Sequence, residues 1–288
     1  MLNIRQLRRR IRSVQSTAKI TKAMEMIAAS KMRKAQQLTL AARPYSEKIL
    51  DVMAHLMAQR KEEEDIHPLL KVHPEVRRIQ IVHVTTDRGL CGALNGNVNR
   101  RAAGFILEQR KPISVVAVGR KGRDFMHRTG QELRAVFVGT ADYPTVNDIL
   151  PIAKIVRDDY TSGYVDRVYL SYTEFVNTLI QRPVLQQILP VEPAKMEGRQ
   201  QVGYIYEPNP AVVLDALLPR FLEMQIYHAL LEARASEQSA RMVAMRSATE
   251  NALDMINELT LLRNKVRQEM ITKELLDIVG GVASLEKG

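Results

Sequence analysis

From Ile4, steps of three and four residues land on Ile4, Leu7, Ile11, Val14, Ala18, Thr21, Glu25, Ala28, Met32 and Ala35. Eight of these ten are apolar, and no Gly or Pro interrupts the chain before Pro44. A two-turn repeat held this long predicts a helix whose seam faces another helix, as in a coiled coil. Around Ala23–Ala29 the stripe widens through Met24, Met26 and Ile27, so cover on more than one side is expected there. Pro44 is expected to kink or restart the helix. A further amphipathic run follows through Ile49, Leu50, Met53, Leu56 and Met57, and the charged stretch from Arg60 to Pro74, with two prolines, reads as a linker.

The period then changes. Ile79–Val84, Ile113–Val118, Leu133–Val138 and Val168–Tyr172 are short β-branched runs, with helical stretches at Leu94–Gln109, Arg120–Arg128 and Asn147–Tyr160 between them. Strand alternating with helix predicts a mainly parallel sheet with crossover helices, a Rossmann-like α/β domain. Val184–Leu189 reads as another strand, Lys195–Gln201 as a polar loop, and Tyr204–Tyr206 as a short extended piece.

From Ala211 the chain is helical again, broken only by Pro219 before Gly280. Steps of three and four from Leu214 pass through Leu217, Phe221, Met224, His228, Leu231, Ala235, Gln238, Met242, Met245, Thr249, Ala252, Ile256, Leu259, Arg263, Val266 and Met270, and thirteen of these seventeen positions are apolar. At about 1.5 Å per residue this helix would run roughly 100 Å, against about 60 Å for the first. The longer helix therefore outruns the shorter. Its end, through Met270, Ile271, Leu275, Leu276, Ile278, Val279, Val282, Ala283 and Leu285, is apolar around most of its circumference. Such a helix is enclosed on all sides, here by a partner or, in the competing reading, by its own domain. The expected organisation is an N-terminal coiled-coil helix (1–60), a central α/β domain (61–210) and a C-terminal coiled-coil helix (211–288).

Charge sharpens this picture. The first 43 residues carry eleven Lys and Arg against one acid, Glu25, a balance of +10 that equals the formal net charge of all 288 residues. A basic amphipathic helix meets something negative along its length. One reading is nucleic acid, through phosphate contacts; against it, the seam demands a helix partner. Aromatic residues are only 5% and Met numbers 13, which favours long helices over a β-rich core. The single cysteine, Cys91, excludes an internal disulfide. No apolar run approaches the ~20 residues that cross a bilayer, and the N-terminus lacks the uninterrupted apolar core of a secretory signal.

Catalytic chemistry finds little support. Thr85-Thr86-Asp87-Arg88-Gly89-Leu90-Cys91-Gly92 follows a strand, where nucleotide folds bind phosphate. It fits neither a P-loop nor G-x-G-x-x-G. Gly119-Arg120-Lys121-Gly122-Arg123 is basic but matches no phosphate motif and reads as a solvated turn. Cys91 would need a base to act as a nucleophile, and His83 is close in sequence but on a strand. The six histidines lack metal-ligand spacing. Asp158-Asp159 reads as a solvated face and Glu62–Asp65 as linker. An α/β enzyme with helical arms is thus the weaker alternative.

Four colinear blocks point elsewhere. They are Lys19-Ile20-Thr21-Lys22-Ala23-Met24-Glu25-Met26-Ile27-Ala28-Ala29-Ser30-Lys31-Met32, Asp87–Asn95, Ser236–Met242 with Ala244-Met245, and Arg267–Leu275. Together they resemble the gamma subunits of F-type ATP synthases over essentially the whole chain. That resemblance implies an antiparallel coiled coil of the terminal helices, forming a central shaft on an α/β foot. It implies alpha and beta subunits, the epsilon subunit and the ring of c subunits as partners, and no nucleic acid. The role implied is non-catalytic coupling of ion flow to ATP synthesis or hydrolysis. ATP or ADP with magnesium would sit on the partner subunits and no cofactor on this chain. The location implied is peripheral, on the cytoplasmic face of the bacterial inner membrane and attached through the c ring. Residue by residue, Met24 matches the shaft position facing the acidic lever of beta. Arg100 matches a basic residue meeting the same lever, with Arg101 a candidate to assist. Arg267 and Gln268 match the pair that hydrogen-bonds a beta loop. Tyr204, Tyr206 and Glu207 fall in a segment resembling the c-ring contact. The cysteine-bearing insert of chloroplast gamma subunits is absent.

Overall fold

A computed structural model describes residues 3–58, 67–191, 206–207 and 209–285. The chain divides into two compact units, Met1–Ile27 with Met242–Gly288, and Ala28–Arg241.

The larger unit holds a five-stranded sheet. Its strands are β1 (Ile79–Val84), β2 (Ile113–Val118), β3 (Glu132–Phe137), β4 (Arg167–Phe175) and β5 (Gln181–Leu189). The order is β3-β2-β1-β4-β5. The first four strands are parallel, with Ile79 opposite both Ile113 and Arg167. β5 returns antiparallel to β4 after a short connection, which only that direction allows. α2 (Leu94–Gln109), α3 (Arg120–Arg128) and α4 (Val146–Thr161) complete the crossovers.

β1 and β2 are buried at every position, which is why they read as predominantly apolar, β-branched runs, with Gln80, His83 and Ser114 as buried polar exceptions. Alternate residues serve opposite faces. Ile79 and Ile81 pack with Ala102 and Phe105 of α2 and Met126 of α3. Val82 and Val84 pack in a second core with Ile149, Ile152 and Val156 of α4. The long terminal helices, α1 (Ile4–Ala58) and α5 (Pro210–Leu285), join that second core through Ile49, Met53 and Leu56, and through Leu218, Leu222 and Ile226.

Three expectations are corrected here. α1 runs through Pro44 without restarting. The proline removes one backbone donor, but residues on both sides, Met32, Ala35, Ile49 and Met53, are buried and support the continued helix. The linker expected from Arg60 to Pro74 contains a turn of 3₁₀ helix at Pro68–Leu70, with Leu69 and Leu70 buried. The Leu69 carbonyl accepts from Val191 N at 3.0 Å, and Tyr160 donates its hydroxyl proton to the Lys71 carbonyl at 2.7 Å. Third, between Leu214 and Leu230 the most buried stripe of α5 is Leu214, Leu218, Leu222, Ile226, Ala229 and Leu230. The stepped positions Leu217, Phe221, Met224 and His228 form its half-buried flank. A helix lying on a sheet buries a wider face than a coiled-coil seam does.

In the smaller unit, α1 and α5 pair antiparallel. Thr21 Oγ1 lies 2.7 Å from Thr249 Oγ1, and Arg246 Nε donates to Glu25 Oε1 at 3.1 Å, so α5 falls back as α1 advances. Ile4, Leu7, Ile11, Val14, Ala18, Thr21 and Glu25 are all buried or half-buried, as the heptad steps require.

Candidate partner-binding surfaces

The seam of the helical pair is mostly apolar, with polar residues at Thr21–Thr249, at Glu25 and at Arg263. Glu25 keeps 6% of its surface exposed yet is ionised, because Lys22 Nζ (2.9 Å) and Arg246 Nε (3.1 Å) both donate to it. Lys22 first, then Arg246, hold its carboxyl below the usual carboxylate range against the opposing cost of burial. Met24, one residue earlier, is half-buried beside this level. The outer side of α1 is apolar as well: Ile20, Met26 and Ile27 are more than half exposed. The widened stripe read from Ala23–Ala29 thus has one side in the seam and one side open.

The α5 seam stays buried or half-buried through Val266 and opens at Met270. Its register explains the change: continued to Asn3, the antiparallel pairing brings the start of α1 opposite about residue 267. Arg267 and Gln268 stand there, both exposed. Beyond them Met270, Ile271, Leu275, Leu276, Ile278 and Val279 are between 46% and 65% exposed. Those side chains are not enclosed by the described residues. Arg267 lies twenty-one residues beyond Arg246 on α5, roughly 30 Å at about 1.5 Å per residue, so Met24 and the Arg267–Gln268 pair mark separate levels.

Arg100 and Arg101 belong to the larger unit, exposed on α2. Tyr206 packs against the core that α1 and α5 share, and Glu207 is exposed just before α5. Tyr204 lies outside the described residues.

The loop after β1 is built as a structural staple. Asp87 accepts from Arg120 N and Gly139 N, each at 3.0 Å, tying the ends of β2 and β3 together. Lys121 N donates to the Thr86 carbonyl (3.0 Å) and Gly122 N to Thr85 Oγ1 (2.8 Å). The amides at the α3 N-terminus, which a parallel fold would offer to phosphate, are therefore directed at the protein. This corrects the solvated-turn reading of Gly119–Arg123. Gly119 is the buried N-cap of α3 at φ +97, and a Cβ there would meet the Thr85 carbonyl oxygen at 2.3 Å. Asp159 is also corrected: it is buried, accepting from Arg134 Nη2 (2.9 Å) and Gln80 Nε2 (2.7 Å), while Asp158 is solvated.

Cys91 and His83 do not form a nucleophile and base. The His83 ring bonds Asn99 Oδ1 (2.8 Å) and Ser171 Oγ (3.1 Å), and burial lowers its pKa to about 4. Cys91 Sγ accepts from Asn95 Nδ2 at 3.2 Å, and burial pushes its thiol up, away from the reactive thiolate. Among the described residues no group of three His, Cys, Asp or Glu could hold a metal ion, and no helix is long and apolar enough to cross a membrane.

The sequence blocks did not reveal what Ser236–Met242 does. Ser236 Oγ donates to the Thr173 carbonyl (3.1 Å) and Ser239 Oγ to the Thr178 carbonyl (2.8 Å), fixing α5 to the β4–β5 hairpin. Buried Glu237 accepts from Arg234 (2.6 Å) and Arg241 (2.8 Å). The available signal was the run Ser-Glu-Gln-Ser in the middle of an apolar repeat.

A unit made of two long antiparallel helices and a unit built on a mainly parallel α/β sheet together define the class of protein. A family model described as ATP synthase matches residues 3–285. The ATP synthase gamma chain of Dehalococcoides mccartyi (strain CBDB1) is 58% identical over 99% of this chain and 100% of its own length. That of Herpetosiphon aurantiacus is 49% identical over the full length of both. A chain in the Euglena gracilis mitochondrial ATP synthase (OSCP/F1/c-ring, rotational state 3) has the same fold, with TM-score 0.69 at 19% identity over 99% of this chain and 95% of that one. A chain in the central stalk/c-ring structure of the Tetrahymena thermophila mitochondrial enzyme gives TM-score 0.59 at 24% identity over 80% and 99%. The chain belongs to the ATP synthase gamma-chain family. The nucleic-acid alternative finds no support in these comparisons.

Proposed function

We propose that this chain couples the two halves of a rotary ATP synthase without an active site of its own. Alpha and beta subunits surround its helical pair, the α/β domain meets the c ring and the epsilon subunit, and the nucleotide chemistry belongs to the surrounding hexamer. The chain is peripheral and joins the membrane complex through the c ring on the cytoplasmic face.

The observation that carries this reading is the α5 seam, covered by α1 through Val266 and exposed beyond it as an apolar tip. An apolar tip in an apolar sleeve makes few directional bonds, so it turns with little hindrance. Directional contacts are then needed at particular levels. Met24, beside buried Glu25, and Arg100 with Arg101 suit an acidic lever on beta. Arg267 and Gln268, exposed where the seam opens, suit hydrogen bonds to a beta loop. Tyr206 and Glu207, with Tyr204 before them, are the proposed c-ring contact.

The test replaces Arg267 and Gln268 with Ala and measures ATP turnover by the assembled complex. Charge-assisted hydrogen bonds of this kind contribute about 1.5–3 kcal/mol, so turnover should fall about tenfold or more. Both side chains are exposed, so the subunit should fold and assemble as before. Unchanged turnover in an intact assembly would refute the assignment.

A further inference from the structure

The loop between β3 and α4 touches more elements than a crossover requires. Lys31 of α1 donates to Asp142 Oδ2 at 2.7 Å. Arg234 of α5 donates through Nη2 to both the carbonyl (3.0 Å) and the hydroxyl of Thr140. Tyr227 of α5 donates to the Pro144 carbonyl at 3.3 Å. Gly139 N, near the start of the loop, donates to Asp87 Oδ2 at 3.0 Å. Six residues of loop, 139–144, thus grip both terminal helices and the staple after β1.

We propose that this loop is the clasp that fixes the angular setting of α1 and α5 on the α/β domain, so that turning one turns the other. The inference rests on the central-stalk reading above. Apolar packing holds the helices against the sheet through Ile49, Met53, Leu218 and Leu222, but the hydrophobic effect is non-directional and resists separation more than slip. Hydrogen bonds and ion pairs have preferred geometry and resist slip. The clasp supplies them to both helices from one short segment. Arg234 is 5% exposed, and its other head-group nitrogen, Nη1, bonds Glu237 at 2.6 Å, which locks its side chain toward Thr140. Asp142 is held ionised by Lys31 first, with Arg234 and Arg88 adding to the attraction.

Truncating Arg234 would remove one of the two cations that pair with buried Glu237, so the test uses Thr140→Val with Asp142→Ala, which remove the clasp's side-chain acceptors at a partly exposed loop. The complete complex in sealed vesicles is assayed for ATP hydrolysis and for ATP-driven ion uptake, and the isolated subunit for its melting temperature. Clasp loss should leave hydrolysis within about twofold while lowering ions moved per ATP by about half or more, with little change in melting temperature. In a separate pair of variants, Asp142→Lys alone should uncouple and Lys31→Asp added to it should restore coupling, as expected for two groups that act together. An unchanged ion-to-ATP ratio overturns the clasp. So does a ratio that falls only in step with melting temperature and is not restored by the charge swap, because that is loss of folding. If the unaltered chain itself fails to support ion uptake in a complex that hydrolyses ATP, the central-stalk reading fails instead, and the clasp falls with it.

Discussion

Single residues decide more here than their exposure suggests. Gly119 carries no chemistry, yet it holds a left-handed φ of +97 with its Cα against the Thr85 carbonyl. Gly119→Ala adds both the backbone penalty and a contact at 2.3 Å that only backbone movement can relieve, so it should destabilise the α/β unit by roughly 2–4 kcal/mol in urea unfolding. His83 makes a pH prediction. Its folded pKa is lowered to about 4, because burial penalises the charged ring. The unfolded chain therefore binds the proton first as pH falls. Stability from this group is fully present above the unfolded value of about 6.5 and is lost as pH drops through that value toward about 4. The loss amounts to roughly 3 kcal/mol at the acid end of that window. His83→Gln, which keeps hydrogen-bonding capacity without titrating, should flatten the pH–stability curve over that window. A slope that persists unchanged would assign it to other groups.

At the scale of elements, period was a sound guide where burial followed a simple rule. β1, β2, α2 and α3 match their sequence expectations end to end, because a doubly covered parallel strand is mostly apolar and its neighbours are bounded by turn residues. The α1 seam was legible for the same reason. Three things were not. Pro44 broke a local rule that tertiary packing on both sides overrides. The stripe of α5 below Leu231 follows the sheet surface rather than a coiled-coil seam. The contact surface was legible only in part: the exposed apolar tail was visible from the pattern, whereas the polar grip of Arg234, Ser236 and Ser239 depends on loops far away in sequence. Two predictions belong to this scale. Pro44→Ala should stabilise the larger unit by about 1–3 kcal/mol, since it restores a helical donor and removes a ring clash; a drop in urea midpoint would show that the proline is needed. Deleting residues after Met270 should leave the melting of the α/β unit unchanged, because the tail's described apolar side chains are exposed, while weakening retention of the chain in the alpha/beta hexamer. Loss of α/β folding on truncation would contradict the sleeve.

For the molecule as a whole, charge and burial must be read together. The formal net charge of +10 equals the excess carried by the first 43 residues, and the rest of the chain is neutral overall. In the folded chain Arg5, Arg8, Arg9, Arg10, Arg12, Lys19, Lys22, Arg33 and Lys34 are exposed, while the seam between them is closed by the partner helix. Exposed cations concentrated on one helix attract an acidic partner at long range and raise the rate of encounter more than the final affinity. The same cations would attract nucleic acid weakly and without sequence preference, so binding of DNA by the free chain cannot separate the two readings. Assembly can. The rate at which this chain joins alpha and beta subunits should fall about tenfold or more between low salt and 0.5 M, where the screening length shrinks to a few ångströms. The dissociation rate should change far less, because the enclosed apolar surfaces are not screened. If acidic levers of the hexamer occupy the exposed cations as proposed, duplex DNA added after assembly should neither bind nor slow ATP turnover. An association rate indifferent to salt would separate the basic helix from the assembly step. DNA retained by the complete complex would return that helix to a nucleic-acid role.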